Sequence, residues 1–241
     1  REILALEKQL LAERRAGHIV VNSEMVRREI AATYGYPDER IHTVYNGVPI
    51  RSFQRMPDAR KRVRERFLLA ERDLLVLFAG SGWERKGLGA AIRAVERLAR
   101  SQRALLAVAG RGRRWRYRSQ RVRFLGEVDS MIPYLEAADI FILPTHYDPF
   151  SNACLEAMAY GLPVVTTTAN GFHEILDADS DGWVVDDPRD IDSLVSGLDH
   201  WSDRGRRAEA APRLREKAAR FSIAANLERT LEVIENALHD R

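Results

Sequence analysis

The chain has 241 residues, with 38 Lys and Arg against 35 Asp and Glu, and its formal net charge of +3 marks no dedicated polyanion binder. An apolar fraction of 45% supports a buried core, while no apolar run approaches the ~20 residues of a membrane span. Cys154 is the only cysteine, which excludes an internal disulfide and a cysteine-built zinc site and fits a reducing compartment.

In chain order, "REILALEKQLLAERRAG" opens mid-helix, with neither Met nor a capping signal, so a longer parent protein is expected. Strands are predicted at "HIVVNS" (18–23) and "IHTVYN" (41–46), around a helix over 24–34. "YNGVPIRSFQRMP" (45–57) reads as a linker, with Asn-Gly, two prolines and no helical or strand period. Beyond it come strands "LLVLFAG" (74–80), "ALLAVAG" (104–110), "VRFLGEV" (122–128), "IFILPT" (140–145), "PVVTTT" (163–168) and "GWVVD" (182–186). Several are apolar without alternation, as in strands buried on both faces of a parallel sheet. Helices are predicted between them at 60–70, 87–100, 131–138, 152–160 and 171–177, then at 189–203, 205–220 and 222–238. This alternation predicts an α/β, Rossmann-like, doubly wound parallel sheet with C-terminal helices and ligands at the carboxyl ends of strands.

The segment "LFAGSGWERKGLGAAI" (77–92) joins a strand, a glycine-rich bend and a helix start. Backbone amides around Gly82 could approach phosphate oxygens, with Arg85 and Lys86 supplying positive charge. Gly87 follows the lysine where a P-loop requires Ser or Thr, and Arg85 stands where a dinucleotide fingerprint needs its third glycine. A phosphate-binding turn and an ordinary βα turn with exposed basic residues both remain open. "DADSDGW" (177–183) imitates half a calcium loop, but Pro188 replaces the required bidentate Glu, and an Asp-Gly turn explains the composition. The arginine-rich stretch 111–123 carries Trp115 and Tyr117; a solvated loop is its default. Anionic lipid or an anionic acceptor is the secondary expectation, with nucleic acid disfavoured for want of a recognised motif. Six scattered histidines show no metal spacing; His146 and His173 lie nearest the ligand loops. No Gly-x-Ser-x-Gly elbow is present, and Cys154 sits among apolar residues, more buried than nucleophilic.

In "HYDPFSNACLEAMAYGLPVV" (146–165), Asp148 precedes a helix start at Ser151–Asn152 and Glu156 follows in its second turn. Unpaired amides of the first turn would face the loop above the sheet, where an anion or sugar hydroxyl fits. The two carboxylates should lie at different depths of one cleft. That suits gripping a long polyhydroxylated ligand better than an acid/base dyad about 5 Å apart.

These residues, with "HIVVNSEMVRREIAATYGYPDERIHTVYNGV", "FAGSGWERKGLGAAIRAVERL", "VRFLGEVDSMIPYLEAADIFILPTHYDPFSNACLEAMAYGLPVVTT" and "NGFHEILDADSDGWVV", resemble the retaining family-4 glycosyltransferases of the GT-B fold. The likeness runs over about residues 18 to 200 and is nearest to bacterial lipopolysaccharide-core glucosyltransferases. It implies an N-terminal acceptor-domain remnant over 1–45, a nucleotide-sugar donor domain over 46–221, and a closing helix over 222–241 that returns to the N-terminal domain. It also implies a donor, such as a UDP-sugar, gripped by Asp148 at its sugar and by Glu156 at its ribose. Backbone amides of Phe150, Ser151 and Asn152 would meet the sugar or diphosphate. Arg85 and Lys86 would neutralise the leaving diphosphate, and Gly126 to Val128 would read the base. On the resemblance, Arg85, Lys86 and Asp148 are the catalytic set, no metal or other cofactor is expected, and the isolated chain should be inactive. The acceptor would be a glycan or a lipid-linked sugar reached through the other domain, in a cytoplasmic enzyme that can sit at the inner membrane face. Asp148 replaces the family's Glu, which shortens the grip by one methylene, and Pro49 replaces the Asp that commonly follows Asn-Gly-Val. Other GT-B enzymes (phosphorylase, synthase, epimerase) and a non-catalytic nucleotide-binding or assembly module are the alternatives.

Overall fold

The computed structural model describes residues 2–13, 15–49, 56, 58–177 and 180–239. The six apolar runs after the linker form one parallel sheet: β3 (Leu74–Ala79), β4 (Ala104–Ala109), β5 (Val122–Gly126), β6 (Ile140–Leu143), β7 (Val164–Thr167) and β8 (Gly182–Val185). Its order is β5-β4-β3-β6-β7-β8, and every residue of β3, β4, β6 and β7 is buried. Strands covered on both faces have no reason to alternate polar with apolar, so the sequence pattern follows from the layering. The connections reverse direction between β3 and β6. The carboxyl ends of those two neighbours therefore diverge around a crevice, the usual ligand position of a doubly wound sheet.

The sheet is covered by α3 (Ala59–Arg66), α4 (Leu88–Leu98), α5 (Ile132–Ala137), α6 (Asn152–Ala159), α7 (Ile191–His200) and α8 (Arg204–Ala219). A smaller unit precedes them: α1 (Glu2–Leu11), α2 (Glu24–Tyr34), and a parallel pair of β1 (Ile19–Val21) and β2 (Ile41–Thr43), around Val21, Tyr36 and Ile41. The last helix, α9 (Ile223–His239), is joined to the linker at a close crossing of the chain. Val48 donates its N–H to the Phe221 carbonyl at 3.0 Å, and the Asn226 amide donates to the Tyr45 carbonyl at 2.8 Å. Gly47 is required there, because a Cβ would lie 2.3 Å from the Ser222 carbonyl oxygen. The rest of the expected linker, residues 50–55 and 57, lies outside the described residues, as do Ala178 and Asp179 of the calcium-like segment.

Two expected helices differ. The one over 60–70 ends at Arg66, because the Arg64 guanidinium turns back to the Ala70 carbonyl at 2.7 Å and Leu68 adopts a φ of 55°. The one over 171–177 is a 3-10 helix, Gly171–Ile175. Its first amide is taken by the Asp148 carbonyl at 2.9 Å, and His173 bonds back three residues to Asn170, which tightens the turn.

At the amino ends of β3 and β6, buried Asp139 accepts from Arg60 at 2.9 Å, Arg64 at 3.0 Å and the Leu75 amide at 2.8 Å. A buried charge persists only when paired and hydrogen-bonded in this way. That end of the sheet is closed by internal bonds, leaving the carboxyl edge for a ligand.

Candidate functional site

The loop after β3 and the loop after β6 meet at the crevice. The Arg85 carbonyl accepts from the His146 amide at 2.8 Å and from the Thr145 hydroxyl at 3.1 Å, while the Arg85 guanidinium donates to the Tyr147 carbonyl. Gly87 permits this approach: its φ is +76°, and a Cβ would lie 1.8 Å from the Pro144 carbonyl oxygen. Trp83, buried in the same bend, anchors it with its ring 5.2 Å from Phe124. The bend thus presents Lys86 to Asp148, and the two form an ion pair with side chains only 13% and 9% exposed.

Asp148 is fixed through its backbone, its N–H donating to Ala169 and its carbonyl accepting from Gly171, both at 2.9 Å. Below it, fully buried Asn170 accepts from the Ser151 and Phe172 amides, each at 3.2 Å, and donates to the Thr166 hydroxyl at 3.0 Å. Ser151 caps α6 by accepting the Cys154 amide at 3.4 Å. Of the three amides expected to meet a ligand, that of Ser151 is therefore already engaged, whereas those of Phe150 and Asn152 carry no partner among the described residues. The Phe150 ring is buried between Phe172 and Tyr45, so only its backbone can face the crevice.

Glu156 is half-buried on α6, and its carboxylate has no hydrogen bond or ion pair among the described residues; burial raises its pKa. Such a group is suited to accept hydrogen bonds from an incoming ligand's hydroxyls. Burial likewise pushes the Cys154 thiol up to about 12, in keeping with a packed residue. Gly126, with φ +74°, ends the edge strand β5, and its carbonyl accepts the Gly110 amide at 2.8 Å. Val128 follows, half-buried, so this segment lies on the same edge as Lys86 but across β4. Gly82 is exposed at the bend with φ +72°. His146 is exposed, and the His173 ring lies 2.9 Å from the Asn170 carbonyl.

Sequence reasoning singled out Arg85, Lys86, Asp148 and Glu156, but missed the residues that hold them. Asn170 reads as the first half of an Asn-Gly turn, and Trp83 as a loop aromatic; neither has a local signal of its role. In the calcium-like segment, buried Asp181 pairs with Lys217 and with Arg213, the latter at 3.2 Å. No group of three or more His, Cys, Asp or Glu among the described residues could hold a metal.

The doubly wound parallel sheet, with Arg85, Lys86 and Asp148 gathered at its switch point, is a Rossmann-like domain, the sheet expected of one half of a GT-B fold. Residues 73–203 match the model of glycosyl transferases group 1, and the chain belongs to that family. Residues 1–52 match the model of glycosyltransferase family 4. An uncharacterized glycosyltransferase of Methanocaldococcus jannaschii is 28% identical over 195 residues, which are 75% of this chain and 50% of that protein. Among solved structures, WaaG, a glycosyltransferase involved in lipopolysaccharide biosynthesis, aligns with a TM-score of 0.74 at 23% identity. That alignment covers 83% of this chain and 58% of WaaG. Anabaena HepE in complex with UDP aligns at 0.80 and 20% identity, covering 93% and 65%. The chain spans about half the length of the curated relatives it matches.

Proposed function

We propose that this chain carries the donor site of a retaining glycosyltransferase that moves a hexose from a nucleotide diphosphate sugar, with UDP as the nucleotide, to a glycan or lipopolysaccharide-type acceptor. The observation that carries the proposal is the meeting of Lys86 and Asp148 at the switch point, together with Glu156 on α6, whose carboxylate has no partner among the described residues. The UDP bound by Anabaena HepE supports the choice of nucleotide, and the role of WaaG supports the choice of acceptor class.

In this reading Arg85 and Lys86 take up the charge that develops on the departing diphosphate, so the reaction needs no metal. The free amides of Phe150 and Asn152 face the charged middle of the donor. Asp148 grips sugar hydroxyls, Glu156 the ribose, and the Gly126–Val128 segment the base. Pairing with Asp148 holds the Lys86 ammonium at the crevice mouth before the donor arrives. The acceptor binds through a second domain of the GT-B pair, so the chain by itself binds donor and transfers no sugar.

Calorimetric titration with UDP, GDP and ADP tests this. UDP should bind, and Glu156→Ala and Lys86→Ala should each weaken it by about tenfold or more, as the loss of a hydrogen bond to a charged group requires. Circular dichroism would verify that both variants fold. Failure of every nucleotide to bind at millimolar concentration would overturn the donor-site assignment. Undiminished binding by both variants would instead favour a nucleotide-binding module with other contacts. Asp148→Glu, which restores the missing methylene, should change the preferred sugar in a donor screen while leaving UDP affinity alone.

A further inference from the structure

The connection between β4 and β5 holds none of the residues assigned to the donor above, yet it carries a dense run of basic residues. Between Gly110 and Val122 it holds six arginines and no acidic residue. Trp115, in a 3-10 turn over Arg114–Arg116, projects from it with 73% of its surface exposed. The segment is mounted rigidly: the Tyr117 ring stands 6.0 Å from buried Trp83, and the Arg114 guanidinium lies 5.2 Å over Phe124. Arg111 and Arg116 are neutralised by Glu127 and Glu84, both at 2.8 Å. Arg113 and Arg118 are exposed, and neither guanidinium has a carboxylate partner among the described residues.

From this we infer a second binding surface, a membrane contact in which Trp115 enters the headgroup layer of an anionic bilayer while Arg113, Arg114 and Arg118 meet its phosphates. A lone exposed Trp ringed by arginines has the composition of an interfacial anchor, since the indole prefers headgroup depth and each cation adds attraction to anionic lipid. Single-stranded nucleic acid fits less well. Its binding uses successive aromatic faces along a groove, whereas here Tyr117 is half-buried against Trp83 and Phe124 is covered by Arg114. Arg113 and Arg116 also share a shallow groove with Gly82 and Arg85, so the contact would hold the carboxyl edge of the sheet close to the lipid surface. This inference does not depend on the proposed donor site.

The test is co-sedimentation of the full chain with vesicles of phosphatidylcholine alone and of phosphatidylcholine mixed with phosphatidylglycerol. Tryptophan fluorescence is read in parallel; Trp83 and Trp201 are buried and Trp183 is half-buried against His200, so a blue shift is assigned to Trp115 by its loss in Trp115→Ala. Binding should require the anionic lipid, fall as salt shortens the screening length, and be accompanied by the blue shift. The double variant Arg113→Glu, Arg118→Glu should weaken partition by about 30-fold or more. Trp115→Ala should abolish the blue shift while retaining salt-sensitive binding. Equal binding to neutral vesicles, or binding that survives charge reversal, would overturn the inference and assign the contact to the exposed apolar faces of α1 and α9. Tighter capture of a single-stranded oligonucleotide than of anionic vesicles at the same salt would overturn it in favour of nucleic acid.

Discussion

Glu156 bears a cost that a ligand could relieve. Burial raises its pKa above the ordinary value of 4.5, so the folded state holds the proton more tightly than the unfolded one. A carboxyl raised in this way favours the fold fully below its unfolded pKa, and that contribution is lost as pH rises through the folded value. At neutral pH the ionised side chain therefore opposes folding. Glu156→Gln should raise the melting temperature by about 2 °C near pH 7 and leave it unchanged near pH 4, while weakening UDP binding. Thermal scans at the two pH values check the sign, and a gain that persists undiminished at acid pH would contradict it. Lys86 and Asp148 are the opposite case, because each already has its counter-ion. Removing one would leave the other poorly solvated and unpaired, which is why the folding control matters for Lys86→Ala.

At the scale of elements, the two parts of the chain are joined through the end of a helix. Glu174, on the 3-10 turn after β7, accepts the Glu24 and Met25 amides at 2.8 and 2.6 Å and the Tyr45 hydroxyl at 3.0 Å. A carboxylate at a helix N-terminus satisfies orphan amides and complements the helix dipole, so Glu174 fixes α2 to the wall of the crevice. A second tie, from the Tyr147 hydroxyl to Glu29 at 2.7 Å, runs from the same helix to the loop that carries Asp148. Glu174→Ala should cost about 2 kcal/mol locally. Hydrogen exchange should then quicken roughly 30-fold across residues 19–34, with β3, β4, β6 and β7 unaffected. Equal quickening in the sheet would show a global role instead.

At the scale of the molecule, two helices leave apolar side chains uncovered. Ile223, Leu227, Leu231, Ile234 and Leu238 lie along one stripe of α9 and are 48–60% exposed, and Ile3, Leu4, Leu6 and Leu10 of α1 are exposed as well. The last turns of α9 line a groove with His18 and Val20 of the N-terminal unit, but the rest of the stripe faces solvent. Apolar surface of this extent favours association. Leu227→Ser with Leu231→Ser should reduce concentration-dependent self-association in sedimentation velocity. Since neither side chain is packed, the melting temperature should move by about 1 °C at most.

The sheet was legible in the sequence because its strands are apolar on both faces, and a run such as "LLVLFAG" admits little else between two helical stretches. The bend at Arg85–Lys86 and the Asp148–Glu156 spacing were legible for a similar reason: each lies within one strand–loop–helix unit, where neighbours in sequence are neighbours in space. Helix ends were less so: the segment at 60–70 is ended by the Arg64 guanidinium folding back on the Ala70 carbonyl, and that at 171–177 is set by the Asp148 carbonyl of the neighbouring loop. What only the tertiary structure decided are the long-range pairings. Lys86 meets Asp148 from 62 residues away, Glu174 caps a helix about 150 residues earlier, and Asn170 takes the amide of Ser151 that the sequence left free for a ligand. Local pattern encodes which face of an element is buried. It carries no record of which charges the strand order brings together, and in a doubly wound sheet that order places residues from two distant loops at a single crevice.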